Sequence, residues 1–329
     1  MPYLLRRLGF YVVTAWVALA VNFFLPRLMP GNAVESVMAK FPNLQPSAYK
    51  ALEALLGVGH PGSIWHQYVQ YLGDIVHLNF GTDLAQYPAS VGSLLVQTIP
   101  WTLILVGMST IIAFVLGTLL GIVAGWRNGG WLDRLLPGLM FLQAVPYFFL
   151  ALILLYVLAV KFLHVFPTGQ GYAGGLIPGW NWPFISSAIF HSILPAFTIV
   201  ITTVAGWMLQ MRNVMITTIG EDYVLAAQAK GLSSRRVIFN YAARNAFLPQ
   251  LQAFGLALGF VVSGALVMEI VFSYPGIGNL LLSAVTSNDY PMMQAIFLVI
   301  TFAVLLANLI IDFVIVVFDP RVRTREAAA

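Results

Sequence analysis

The chain has no cysteine, and only 9% of its 329 residues are charged. The first lack removes disulfides, thiolate metal sites and cysteine nucleophiles. The second lies far below the roughly 25% of a soluble domain. A soluble globular domain is therefore excluded, as are disordered, coiled-coil and collagen-like chains, whose compositions are polar or strictly repetitive. The 16 basic and 12 acidic residues leave a formal net charge of +4, scattered along the chain, which is no footprint for nucleic acid. No Lys follows a Gly anywhere, so there is no phosphate-binding loop and no ATPase site in this chain. What is plentiful is apolar: 60% of residues are hydrophobic and the mean hydropathy is +0.86. The composition is that of an all-α polytopic membrane protein.

Charge-free runs place the crossings. Asp, Glu, Lys and Arg are absent between Arg7 and Arg27, Asp83 and Arg127, Arg134 and Lys161, Lys161 and Arg212, Arg244 and Glu269, and Asp289 and Asp312. A helix needs about 20 apolar residues to cross the hydrocarbon core. Six transmembrane helices are expected near 8–28, 98–125, 136–162, 188–210, 249–272 and 292–317. The first stretch follows Arg6 and Arg7 as a signal peptide would. It is longer than a signal's apolar core, and is read as a retained anchor. The Gly- and Pro-rich "FPTGQGYAGGLIPGWNWP" reads as an external loop with interfacial Trp180 and Trp182. With the N-terminus in the cytoplasm, 12 Lys and Arg lie inside and 4 outside, so both termini are expected there. The resulting organisation is an anchor helix (1–28), an external insertion (29–97), a core of five transmembrane helices (98–320) and a tail (321–329). The insertion holds an amphipathic stretch from Trp65 to Leu78 and is expected to form one or two short helices.

The most polar inner segment, 211–248, contains "EDYVLAAQAKGLSSRRVIFNYAARNAFLP". Glu221 and Asp222 suit the positive start of a short helix, and Lys230 suits its end. Gly231 stands where a left-handed stop belongs. Tyr223, Ala226, Ala227 and Lys230 share one face at helical spacing, and the small residues there let another backbone approach. Ser233 or Ser234 caps a second helix, and Pro249 marks the start of the fifth crossing. On these residues alone the loop is either a docking knob or a headgroup-level anchor held by Arg235 and Arg236.

That segment resembles the cytoplasmic coupling loop of bacterial ABC importer permeases, in the form found in the oligopeptide/dipeptide/nickel permease family. The likeness extends over nearly the whole chain, through "LPRLMPGNAV", "FGTDLAQYPASVGSLLVQTIPWTL", "FPTGQGY", "SGALVMEIVFSYPGIGNLLLSAVTSNDYPMMQA" and "NLIIDFVIVVFDPRVR". The Glu-Ala-Ala signature of such importers reads Leu225-Ala226-Ala227 before Gly231 here, so no role attaches to a carboxylate at that position. The stretch from about Glu35 to Ser63 departs from the family pattern.

The resemblance implies a type I importer fold and a plasma (inner) membrane location in a bacterium or archaeon. It implies a second related permease, two ATPase subunits holding ATP and Mg, and an external substrate-binding protein. The cargo would be di- or oligopeptides, with oligosaccharides or nickel chelates as alternatives, and transport would run by alternating access. The residues it assigns to ATPase coupling are Glu221, Asp222, Tyr223, Ala226, Ala227, Ala229, Lys230, Gly231 and Arg235.

Other residues are weighed against plainer roles. Glu269, expected near the outer end of helix five where its carboxylate reaches water, is a candidate for the path or its gate. Asp312 reads as a structural partner of Asn308 or of a cytoplasmic Arg. His60, His66 and His77, with Glu53 and Asp74, match no pair of metal ligands on one helical face and read as exposed histidines; no metal site is expected. Asn22, Gln143, His191, Trp207 and Gln210 are path-lining candidates or interhelical hydrogen bonders, and Pro137, Pro146 and Pro195 are expected to bend helices three and four. A membrane enzyme would need paired catalytic groups at one depth, whereas Glu269 and Asp312 are expected at opposite faces. A secondary carrier would show an internal repeat and several intramembrane charges, and neither is evident.

Overall fold

The computed structural model describes residues 2–28, 63–83, 85–86, 88–259, 261 and 266–318. The first part of the expected insertion, with Glu53 and His60, and the tail 321–329 lie outside the described residues, as do the side chains of Arg6, Arg7 and Asp312. Among the described residues the regular structure is helical, apart from one antiparallel bridge between Thr82 and Ser90.

In order, the helices are α1 (Pro2–Arg27), α2 (Ile64–Val76), α3 (Val91–Trp126), α4 (Trp131–Ala144), α5 (Tyr147–Leu154), α6 (Trp182–Ile219) and α7 (Asp222–Ala229). After them come α8 (Arg244–Gly259), α9 (Leu266–Val271), α10 (Ile277–Thr286) and α11 (Tyr290–Phe318). π-helical turns extend α5 through Leu155–Lys161, and a turn at Ser234–Arg236 leads through π-helical Val237–Ala243 into α8.

Among the described residues, four helices are long and apolar enough to cross a membrane: α1 through Leu8–Leu25, α3, α6, and α11 through Tyr290–Ile310. The pair α4–α5 makes a fifth if read as one crossing bent by 95°. The crossing expected at 249–272 falls on α8 from Pro249 onward and on α9, with residues 260 and 262–265 between them outside the described residues. α3 and α6 outrun their expected spans because an apolar run measures the hydrocarbon core. The helices themselves continue until a breaker or cap: Asn181 caps α6, accepting from the Phe184 N–H at 2.9 Å, and Gly220 follows its end.

Of the three expected proline bends, the sharp one is at Pro146. A residue before proline is driven into extended backbone, and Val145 sits at φ −73°, ψ 129°. Pro137 and Pro195 lie inside helices that run on past them.

The described residues form two compact units, one up to Trp101 with Pro275–Leu306, the other Thr102–Tyr274 with those from Ala307. In the first, the end of α1 meets α2. Phe23 is fully buried, with the Tyr68 and Tyr71 rings at 5.2 and 5.4 Å. Asn22 Nδ2 donates to the Tyr71 hydroxyl at 3.0 Å and to the Gln294 carbonyl at 2.8 Å, which makes Asn22 an interhelical bonder. Burial pushes the Tyr71 phenol up to about 12, against the Asn22 hydrogen bond. Two buried acids organise the same unit. Asp289 Oδ1 accepts from the Met292 N–H at the start of α11 and Oδ2 from the Ala85 N–H, and Asp83 accepts from the Gln86 N–H.

The second unit is centred on α6, against which α3, α4 and the 222–246 segment pack. Gly117, Gly121 and Gly125 line one face of α3 at a four-residue spacing. A Cβ added at Gly121 would stand 2.6 Å from the Met208 carbonyl oxygen, so the two backbones touch. Fully buried Gln250 donates to Thr118 Oγ1 at 3.3 Å and to the Trp207 carbonyl at 3.0 Å, and ties α8 to both helices.

Candidate functional site

The 211–248 segment is a rooted structure. α7 starts after Glu221, with Asp222 in its first turn, and both acids are exposed where the helix dipole favours negative charge. Its end closes as a Schellman motif: the Gly231 N–H bonds the Gln228 carbonyl at 2.9 Å and the Leu232 N–H the Ala227 carbonyl at 3.4 Å. Gly231 has φ +72°, the left-handed stop anticipated there, and open space around it. Ser233 takes the cap position of the next helix through its backbone carbonyl, which accepts from Arg236 and Val237, while its hydroxyl makes no capping bond.

One face of α7 is buried and the other is free. Val224 and Ala227 are at most 2% exposed and pack with Ile122, Met211, Met215, Val237, Ala242 and Ala243. Glu221, Asp222, Tyr223, Leu225, Ala226, Ala229 and Lys230 are exposed, as is Arg235 in the following turn. The structure therefore separates two residues the sequence places on one docking face. Ala226 is presented to solvent, while Ala227 faces inward beside the ends of α3 and α6. Spacing fixes which residues share a helix face, but the neighbouring helices decide which face is covered.

A clamp beside this surface went unread in the sequence. Arg212 Nε donates to Asp133 Oδ1 at 2.6 Å, and Nη2 donates to Asp133 Oδ2 at 3.3 Å and to Asn128 Oδ1 at 3.0 Å. The Gly129 N–H also bonds Asp133, so the turn between α3 and α4 is latched to α6. The legible signal was the pair of opposite charges at one expected membrane face. Lysine cannot reproduce this fork. Arg212→Lys is expected to destabilise the chain by about 1 kcal/mol, with non-additivity towards Asp133→Asn in a double-mutant cycle on detergent-solubilised protein. Strict additivity would mean the pair contributes nothing.

Glu269 is fully buried, not within reach of water as its place near a helix end suggests. The chain after α9 doubles back: Ser273 has φ +47° and the Tyr274 N–H bonds the Glu269 carbonyl at 2.7 Å. Tyr274, itself buried, bonds Ser192 Oγ at 2.9 Å. Burial pushes the Tyr274 hydroxyl up, the Ser192 bond opposes this, and the nearby Glu269 carboxylate adds to the rise. The "FPTGQGY" loop adds a further bond, from the Gln170 N–H to the Phe272 carbonyl at 2.9 Å. Asp83 and Asp289, in two of the motifs quoted above, are likewise buried acids that hydropathy alone did not single out. No cluster of three or more potential metal ligands occurs among the described residues.

Residues 117–324 match the family model of the binding-protein-dependent transport system inner membrane component. The chain is similar to a putative peptide permease protein of Brucella suis biovar 1 (34% identical over 302 residues, 92% of each chain). It is similar also to the oligopeptide transport system permease protein AppB of Bacillus subtilis (30% over 322 residues, 97% of this chain and 98% of the relative). A third relative is the di/tripeptide transport system permease protein DppB of Pseudomonas aeruginosa (31% over 340 residues, 98% and 99%).

Proposed function

The chain belongs to the family of binding-protein-dependent transport system inner membrane components, and from that premise we propose that it is one of two related permeases framing the path of an ATP-driven peptide importer. Peptide is the cargo named for its relatives. A transport component of this kind is not the catalytic subunit; ATP and Mg belong to two separate ATPase subunits, and an external binding protein delivers the substrate. On this reading the chain crosses a bacterial or archaeal plasma membrane six times, with both termini in the cytoplasm.

The observation that carries the reading is the two-sided character of α7. Its inner face is fastened to the ends of α3 and α6, and its outer face presents Tyr223, Ala226 and Lys230. A short helix held this way transmits a push as a rigid body. Closure of the ATPase pair would press on the exposed face, and Val224 and Ala227 would pass the displacement to the membrane helices, switching the path between outward and inward access. On the same reading Glu269, buried near Tyr274, is a candidate for the path or its gate.

Native mass spectrometry of the protein isolated from its own membranes in mild detergent tests the whole reading. The expected mass corresponds to this chain with a second permease and two ATPases, and with a binding protein carrying peptide. An oligosaccharide or metal-chelate mass would keep the machine and replace the cargo. A solitary chain, where a known complex of this type survives the same conditions, would overturn the importer reading in favour of a carrier or membrane enzyme.

A further inference from the structure

α2 has 13 residues, too few to cross a bilayer, for which about 20 are needed. It meets α1 at Asn22, Phe23 and Phe24, in the last turns of that helix, through Tyr71 and Tyr68. At 100° per residue, Trp65, Val69, Leu72 and Val76 fall within an arc of about 60°, and His66, Gln70 and His77 within an arc of about 40° centred roughly 110° further round. Within that arc Trp65 is 69%, Val69 50% and Val76 78% exposed, and Leu72 is half-buried.

This bare stripe adjoins the bare side of a membrane helix. Tyr68 bridges them, with the Trp65 ring at 5.8 Å on one side and the Phe24 ring stacked at 6.4 Å on the other. Phe24 belongs to the exposed apolar surface of α1 with Val17, Val21 and Leu25, inside or at the edge of the window that crosses the membrane. A surface that continues an acyl-facing one meets the same medium. The level is marked by Arg27 in the last turn, whose guanidinium folds back over the Phe23 ring at 3.6 Å and donates through Nη1 to the Phe23 carbonyl at 2.7 Å; a cation at a helix end belongs at headgroup level and not in the acyl core. A short helix with one apolar arc, a separate polar arc and an exposed Trp has the character of an interfacial helix.

We propose that α2 lies in the membrane interface at the Arg27 end of α1, with Trp65, Val69 and Val76 in the lipid and His66, Gln70 and His77 towards water. The partner is a lipid surface, and the helix braces the last turns of α1 against the bilayer.

The lack of cysteine makes the test direct. Single cysteines replace Val69, Val76, His66 and Gln70, with Ile111, exposed in the middle of α3, as a lipid reference. Each is spin-labelled in the protein isolated with its native partners and placed in nanodiscs of phosphatidylethanolamine and phosphatidylglycerol. Oxygen is expected to relax labels 69 and 76 more strongly than a water-soluble nickel chelate, as at 111, and the order is expected to reverse at 66 and 70. Dominance of the nickel chelate at all four positions would overturn the proposal by standing α2 in water. Shielding of 69 and 76 from both agents would overturn it in favour of a protein cover. A reading without cysteines comes from brominated lipids, which are expected to quench the wild type more than Trp65→Phe; equal quenching would count against it.

Discussion

Ala226→Trp is expected to lower uptake at least tenfold while leaving the chain folded and inserted. Ala226 is on the exposed side of α7, pointing away from Val224 and Ala227, so an indole there disturbs no contact within the chain. Surface changes of this kind cost within about 0.5 kcal/mol of stability. In the importer reading the same indole stands between α7 and the ATPase groove. A tenfold loss corresponds to only about 1.4 kcal/mol of weakened docking, within the about 1–3 kcal/mol that overpacking a close-fitted interface costs. ATP hydrolysis should persist and no longer follow substrate. Ala227→Trp is the contrasting variant. It forces an indole among Met211, Met215 and Val237, where side chains are almost wholly buried, and should cost about 1–3 kcal/mol of stability or more. Labelled-peptide uptake, ATPase rate and thermal unfolding of purified complexes separate the two variants. Full transport by a normally assembled Ala226→Trp protein would remove α7 from the coupling pathway.

Gly121→Leu is expected to prevent stable folding of the second unit. The Cβ alone would come within 2.6 Å of both the Met208 carbonyl oxygen and Met211 Cβ, and 3.1 Å from the Arg212 nitrogen. The first and last are backbone atoms, which cannot turn aside as a side chain end does. Without a hydrophobic drive between helices inside lipid, close backbone approach along small residues is what holds them together. Separating α3 from α6 would also loosen the Gln250 bonds and the cluster beneath α7, since Ile122 and Met211 belong to both. Gly121→Ala should already cost about 1–3 kcal/mol. The comparison is Gly138→Ala in α4, where an added Cβ meets nothing within 4 Å and stability should be unchanged or slightly raised. Thermal unfolding midpoints and membrane abundance report the result. Similar midpoints for the Gly121 and Gly138 variants would show that α3 and α6 do not depend on this contact.

Local chemistry along the chain was enough to mark a helical membrane protein, to locate its apolar runs, and to set residues 221–231 as a short helix ended by a left-handed glycine. These follow from transfer free energies and from backbone geometry, which act over one to twenty consecutive residues. Tertiary structure decided what depends on neighbours distant in the chain. Ala226 and Ala227 are adjacent and chemically identical, yet α3 and α6 cover one and leave the other bare. Glu269 is near a helix end, where charge ordinarily escapes to water, but the returning chain and Tyr274 enclose it. The four-residue spacing of Gly117, Gly121 and Gly125 was legible as a small-residue face, while its partner on α6 was not. Arg212 and Asp133 lie 79 positions apart, and their opposite charges suggest a pair that only the fold brings within 2.6 Å. In each case the local chemistry was written in one dimension, and the choice of which face is buried was made by packing, whose energy has no counterpart in sequence order.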